Sequence, residues 1–258
     1  MVSGDRCSYS SIWRLAYPLI ITNASLTVMH FCDRKFLAMH SHLEVAAALP
    51  AGVYSFTLTA FWLILVLYTS TIVAQYYGSK QLEKAVRATW NGIYLAVVVG
   101  LITLFVMPWI GLYVIHTGGH PTAILELERK YFITLIPCGL FMCVTDAIIS
   151  FFNGVGRTQY AAVINIICCV VNVVLDYALI FGKWGAPEMG IAGAGIATAV
   201  SCVCGTCVAT GIFLIQDQRV YPTRQYRTFC MDEIKRIFRF GSPAALQCLS
   251  DLGGFFFG

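Results

Sequence analysis

Charge is what this chain has least of. Aspartate, glutamate, lysine and arginine make up 12% of it, against roughly 25% in an ordinary soluble domain. Other signals are missing as well. There is no GxxxxGKS or GxxxxGKT loop, which excludes an ATPase of that type. There is no Ser/His/Asp order and no HExxH, so nothing supports a hydrolase, and the chain reads as no enzyme. Eleven cysteines are present, but Cys138, Cys143, Cys168, Cys169, Cys202, Cys204, Cys207 and Cys248 fall inside apolar runs, where free cysteine packs as a small hydrophobe. The spacing of Cys202, Cys204 and Cys207 has no second cluster of zinc type to match it. His30, His40, His42, His116 and His120 all fall toward one side of the chain's path and read as surface residues. The first apolar run outlasts a signal peptide, so a cleavable leader is not expected. The net charge of +4 carries no nucleic-acid signal, because the basic residues sit in short loops between apolar runs.

Apolar residues fill the space that charge leaves. They make up 58% of the chain, and the mean hydropathy is +0.74. Continuous runs occupy about 12–39, 51–77, 88–115, 131–152, 160–181 and 189–215, and a seventh begins near residue 234. A membrane helix needs roughly 20 such residues, which the seventh run does not comfortably reach. The runs are continuous rather than alternating, which selects helices over a barrel. The expected fold class is all-α: a polytopic membrane helix bundle of six transmembrane helices plus a truncated seventh. Short polar segments at 40–44, 78–87, 116–128 and 153–159 read as the loops between runs.

Lysine and arginine set the expected orientation. With the N-terminus in the cytoplasm, the inner side holds Arg6, Arg14, Lys80, Lys84, Arg87, Arg157, Arg219, Arg224, Arg227, Lys235, Arg236 and Arg239. The outer side holds only Arg34, Lys35, Arg129, Lys130 and Lys183. A faint repeat supports a second lobe: IWRLAYP at 12–18 and IFRFGSP at 237–243 share Ile, Arg and Pro. Six spans return the chain to its starting side, so this repeat is parallel. The expected domains are an N-terminal six-helix lobe over 12–215, a cytoplasmic inter-lobe linker over 216–233, and the start of a second lobe over 234–258.

The rare acids inside the runs are the candidate site. A carboxylate at the centre of a membrane helix costs about 2.5–3.5 kcal/mol on insertion scales, so its default reading is functional. Asn172 and Asp176, four apart, share a helix face, and Asn165 lies seven before Asn172 on the same face. At about 1.5 Å per residue, Asp33 lies roughly 27 Å and Asp176 roughly 24 Å from the inner side, and Thr198 roughly 13 Å down from the outer side. The three can therefore converge in the outer half, with His30 on the face of Asp33. Asp146 falls in the inner half, where pairing with a neighbouring helix competes with an ion-handling role. Two carboxylates together in low dielectric should hold a proton or sodium ion between them, and amide and hydroxyl oxygens complete a shell for a hard cation. The ion- or proton-coupling set is Asp33, Asn172, Asp176 and Thr198, with His30, Asn165 and Asp146 as secondary candidates. No cofactor and no metal beyond a sodium ion is expected. The stretch MGIAGAGIATAVS at 189–201 is rich in small residues that let another helix come close.

Four motifs carry a family likeness. TIVAQYYGSK at 71–80, GVGRTQ at 154–159, NVVLDYALIFG at 172–182 and MGIAGAGIATAVS at 189–201 together resemble the multidrug and toxic compound extrusion (MATE) family, over the extent of its N-terminal lobe. The resemblance implies a twelve-helix exporter with two six-helix lobes, working by alternating access as a sodium- or proton-driven antiporter in the cell membrane. It places the family's first-helix acid on Asp33, its fifth-helix amide and acid on Asn172 and Asp176, and its sixth-helix hydroxyl on Thr198. It implies a small organic, cationic or amphipathic substrate, with the lipid bilayer and the C-terminal lobe as partners. Arg34 and Lys35, directly after Asp33, depart from the pattern; turned inward, either would occupy the acid, and snorkelling to the headgroups avoids that. A flippase for a lipid-linked precursor, which needs a cationic cavity, and a truncated membrane protein with no transport of its own are the alternatives.

Overall fold

The computed structural model describes residues 9–216, 221 and 223–257. Arg6, Arg219 and most of the first half of the expected linker lie outside them. The described residues form eight helices and no strand: α1 Tyr9–His40, α2 His42–Leu67, α3 Thr69–Gly78, α4 Leu82–Thr117, α5 Thr122–Gly154, α6 Gln159–Phe181, α7 Ile191–Gln216 and α8 Met231–Phe257. Among them, five stretches are long and apolar enough to cross a membrane, and α2 and α3 together make one of these, His42–Gly78. With α1 and α8, of 32 and 27 residues, the chain makes seven helical passes. The all-α membrane bundle of six helices and a seventh therefore stands.

The helices are longer than the apolar runs. The expected polar segment 78–87 shrinks to a turn at 79–81, because α4 already begins at Leu82. Its first turn carries Glu83, and a negative charge there complements the exposed N–H groups of the helix end. Likewise 116–128 is largely helix, since α5 starts at Thr122 directly after Pro121. The second pass starts at His42, not near residue 51, and takes Pro50 into its interior. Pro18, Pro108, Pro137 and Pro243 also lie inside helices. A helix goes on satisfying its own backbone after it leaves the apolar layer, and hydropathy does not report that.

One break falls within a pass. Between α2 and α3 the helix is interrupted at Tyr68. The Ser150 hydroxyl of α5 donates to the Leu67 carbonyl there, at 3.4 Å. In hydrocarbon such a carbonyl needs a protein partner.

α5 is the hub, packing on α2, α3, α4 and α7, while α6 lies between α1 and α7. Small residues set the closest approaches. A Cβ on Gly193 would stand 2.7 Å from the Leu179 carbonyl oxygen of α6, and one on Gly195 would run into the Thr134 hydroxyl of α5. The small-residue stretch does hold α7 tight against its neighbours. The turn from α6 into α7 begins at Gly182, whose φ of +63° ends α6 in the left-handed region, where glycine carries no steric penalty.

A Gly193→Val substitution should lower the melting temperature of the purified protein, at a cost of about 1–3 kcal/mol as for other overpacked sites. An unchanged melting curve by fluorescence-detected unfolding would refute the close α6–α7 approach.

Candidate functional site

Three helices deliver the site. Asp33 comes from α1, Asn172 and Asp176 from α6, and Thr198 from α7. Asn172 and Asp176 are fully buried and Asp33 is 8% exposed. The Asp33 and Asp176 carboxyl groups lie within reach of the same amide, that of Asn172. With its amide nitrogen toward the acids, Asn172 donates to Asp33 Oδ1 at 2.9 Å and to Asp176 Oδ2 at 3.2 Å. With the amide reversed, the nitrogen donates instead to Thr198 Oγ1 at 3.3 Å. Thr198 donates to the Ala194 carbonyl of its own helix at 3.0 Å. The first orientation suits bare carboxylates, since it aims N–H groups at negative oxygens. The second aims the amide oxygen at the acids, which is favourable only with a proton or cation between them. Asp176 Oδ1 is buried and has no hydrogen-bond partner among the described residues. Asp33, Asp176, Asn172 and Thr198 offer carboxyl, amide and hydroxyl oxygens, the donor set of a hard cation or a proton.

The acids open onto a cavity of about 400 Å³. Asp33, His30, Phe56, Tyr131, Met142 and Thr198 line it, and Leu252 of α8 closes one wall. His30 is therefore at the cavity but exposed, not inside the acid cluster. Asn165 stays outside the cluster and donates back to the Ala161 carbonyl at 2.9 Å. Asp146 lies one helical turn beyond the cavity-lining Met142 on α5, half-buried, and makes no hydrogen bond or ion pair with a described residue. Arg34 borders the cavity yet makes no ion pair with Asp33 among the described residues, and the Lys35 ammonium lies 5.9 Å from the centre of the Phe31 ring. Neither cation occupies the acid.

Sequence reasoning missed Tyr131, a buried phenol at the cavity wall. Its signal was a polar aromatic directly after Arg129 and Lys130. Also missed were the partners of two histidines read as idle surface groups. His120 Nδ1 lies 2.6 Å from Oε1 of Glu128, a fully buried acid. His40 bridges two acids: Nδ1 lies 2.7 Å from Glu44 Oε2 and Nε2 lies 3.1 Å from Glu188 Oε1. This clamp ties the end of α1 to α2 and to the α6–α7 turn, at the end of the helices nearer the acid cluster.

With that geometry in place, comparison with known proteins identifies the family. The MatE family profile matches residues 18–178. The chain belongs to the MatE family. Two relatives described as probable multidrug resistance protein NorM are similar to it. The one from Oceanobacillus iheyensis is 32% identical over 218 residues, which is 82% of this chain and 46% of the relative. The one from Listeria monocytogenes is 27% identical over 253 residues, or 94% and 54%. This MatE chain thus spans about half the length of the curated relatives it matches. Among solved structures, an outward-facing multidrug resistance MATE family transporter superposes with a TM-score of 0.82 at 23% identity, covering 95% of this chain and 54% of that one. A MATE structure in complex with Br-NRF gives 0.80 at 20% identity, covering 96% and 56%. At these identities the likeness shows the fold, and the fold is that of a MatE membrane protein.

The His40 clamp gives this MatE chain a pH-dependent element. Burial alone would lower the His40 pKa, but hydrogen bonds to Glu188 and Glu44 outweigh it and hold the imidazole above its ordinary 6.5. A group raised on folding stabilises fully below its unfolded pKa and loses that contribution as pH rises through the folded value. The melting temperature should therefore fall as pH climbs above about 6.5. His40→Gln should flatten that limb, and an identical pH profile in the variant would discard the clamp. Glu188 is exposed, so screening keeps the effect small.

Proposed function

We propose that this chain forms the N-terminal lobe of a secondary-active exporter of small organic, cationic or amphipathic molecules, and that Asp33, Asn172, Asp176 and Thr198 bind the coupling ion, Na+ or H+. One observation carries the reading. Two acids from different helices are buried and bridged by one amide, at the wall of a cavity large enough for part of a small organic molecule. Two carboxylates so placed hold a proton or cation between them. The unpartnered Asp176 Oδ1 and the reversible Asn172 amide can both serve that ion.

The coupling follows from shared ground. Asp33 belongs to the acid cluster and also lines the cavity. A cationic substrate drawn to Asp33 and an ion held between the acids compete for the same negative charge. Linkage makes that competition reciprocal, so an ion entering down its gradient favours release of the substrate. The NorM relatives, by their description as probable multidrug resistance proteins, support this class of substrate. The excess of Lys and Arg on one side supports a cytoplasmic N-terminus, the parallel repeat supports a second lobe as partner, and the absence of any hydrolase or ATPase motif supports a carrier with no enzyme activity. Alternating access would then work between the two lobes.

Asp176→Asn in the full-length transporter should abolish export of a fluorescent cationic dye under imposed sodium or pH gradients while the protein remains in the membrane. In the isolated chain, the same change should remove any rise in melting temperature caused by Na+ or by acid. Undiminished efflux from the variant would sink the proposal.

A further inference from the structure

At the other end of the helices a second polar cluster surrounds one buried acid, Glu233, and the proposed transport chemistry does not use it. Its parts come from three elements: Gln75 and Tyr76 of α3, Arg87 of α4, and Glu233 and Arg236 in the first turns of α8. The Tyr76 hydroxyl donates to Glu233 Oε1 at 2.8 Å and accepts from Arg236 Nη1 at 2.8 Å. Arg236 Nη2 donates to Gln75 Oε1 at 2.8 Å, and its guanidinium lies 5.0 Å from the centre of the Tyr76 ring. Arg87 Nη2 stands 3.8 Å from Glu233 Oε1. Glu233 is only 5% exposed.

The cluster is closed but incompletely satisfied. Glu233 Oε2 and Arg87 Nε are both buried without a hydrogen-bond partner among the described residues. Every contact Glu233 makes falls on its other oxygen. A buried polar atom with no partner costs free energy that water would return on exposure. Opening this cluster would break its hydrogen bonds and, at the same moment, hydrate two groups that the closed state leaves bare. The two effects oppose each other, so the closed and open states are brought near balance, as a two-state element requires.

Beyond the cluster, α8 packs mainly on α2. Its first half is packed: Ile237 is fully buried, and Gly241 lies against Leu65 of α2 and Tyr68 at the α2–α3 break. Farther along, Leu246 is exposed, and Leu252 reaches the cavity wall beside Asp33. The chain leading into α8 is stapled to α4. Asn91 donates to the Thr228 carbonyl at 3.1 Å and accepts from the Cys230 backbone N–H at 2.7 Å, and the Tyr94 hydroxyl donates to the Arg227 carbonyl at 2.8 Å. α8 is thus tethered at residue 230, pinned by the polar cluster one turn later, and in contact with the cavity at its far end.

We propose that Tyr76, Gln75, Arg87, Glu233 and Arg236 form a latch that holds α8 against α3 and α4, and that its release swings α8 and opens the cavity to the side away from the acid cluster. The inference rests on the transporter reading, which supplies the reason for the cavity to change sides. Cation binding at the acids and release of the latch are then linked through α8, whose Leu252 borders the cavity that Asp33 faces.

Cys230 lies three residues before Glu233 and reports the latch directly. The experiment measures maleimide labelling at Cys230 by peptide mass spectrometry in the detergent-solubilised chain, with Cys230→Ser marking the assignment. Tyr76→Phe removes the hydroxyl shared by Glu233 and Arg236 and keeps the ring. It should raise the labelling rate at least about tenfold, because it removes hydrogen bonds to two charged groups. Glu233→Gln should do the same, and the pair should be less than additive, as groups of one network are. A passive contact would also loosen on mutation, so coupling decides the matter. In the parent chain the rate should change between Na+-free and Na+-saturated buffer, or between acid and neutral pH. Asp176→Asn should erase that change, and Tyr76→Phe should make labelling fast in every condition. A melting temperature that responds to the cation while Cys230 labelling does not would overturn the latch alone. No response of either quantity would overturn the transporter reading and the latch with it.

Discussion

Two carboxylates buried side by side in an apolar bundle constrain everything around them. Burial weakens the screening of Asp33 and Asp176, so their repulsion has to be met by groups of the protein or by a bound ion. Asn172 is one such group, and its position between the acids requires α1 and α6 to meet at that depth. The contact of α6 with α7 then depends on glycine: Gly193 lets α7 approach the Leu179 carbonyl, which brings Thr198 within reach of Asn172. The packing of small residues and the chemistry of the acids are thus parts of one arrangement, in which a methyl group added at position 193 would displace a hydroxyl one and a half turns away.

The bundle keeps its polar contacts at its ends and its acids in between. At one end His40 joins Glu44 and Glu188, and His120 joins Glu128. At the other, Tyr76 and Arg236 hold Glu233. Each of these clusters ties separate helices or turns together, so the ends of the bundle are cross-braced while the cavity between them has apolar walls. Several buried oxygens remain without a protein partner, on Asp176, Glu128 and Glu233. In a fully apolar setting that would be an uncompensated penalty. Thr69 and Asn153 carry such atoms as well, and all of them mark places where the molecule departs from a packing optimum.

Much of this was legible in the residue order, and the reason is that the relevant costs are local. A run of apolar residues long enough to cross a bilayer is a property of the run itself, so six spans and the start of a seventh could be read directly, as could the all-α class. A charge inside such a run is costly wherever its partners are, so Asp33 and Asp176 stood out before any contact was known. Helical rise alone placed them and Thr198 at compatible depths. The same reasoning could not separate Asn165 from Asn172, because a shared helix face says nothing about which part of that face meets another helix. It also set the helix ends too far in, at 51 rather than His42 and at 131 rather than Thr122, because hydropathy follows the membrane while hydrogen bonding follows the backbone.

What the sequence determined by itself was therefore the set of membrane helices and the small group of polar residues whose burial within them is costly. The tertiary structure alone decided the partnerships: Asn172 between two acids, Tyr131 at the cavity, His40 between Glu44 and Glu188, and Glu233 against Tyr76 across 157 positions of chain. Those pairings depend on how helices remote in sequence approach and rotate about one another. Solvation cost belongs to each residue where it stands in the chain, whereas a hydrogen bond or an ion pair exists only once two such residues have been brought within about 3 Å.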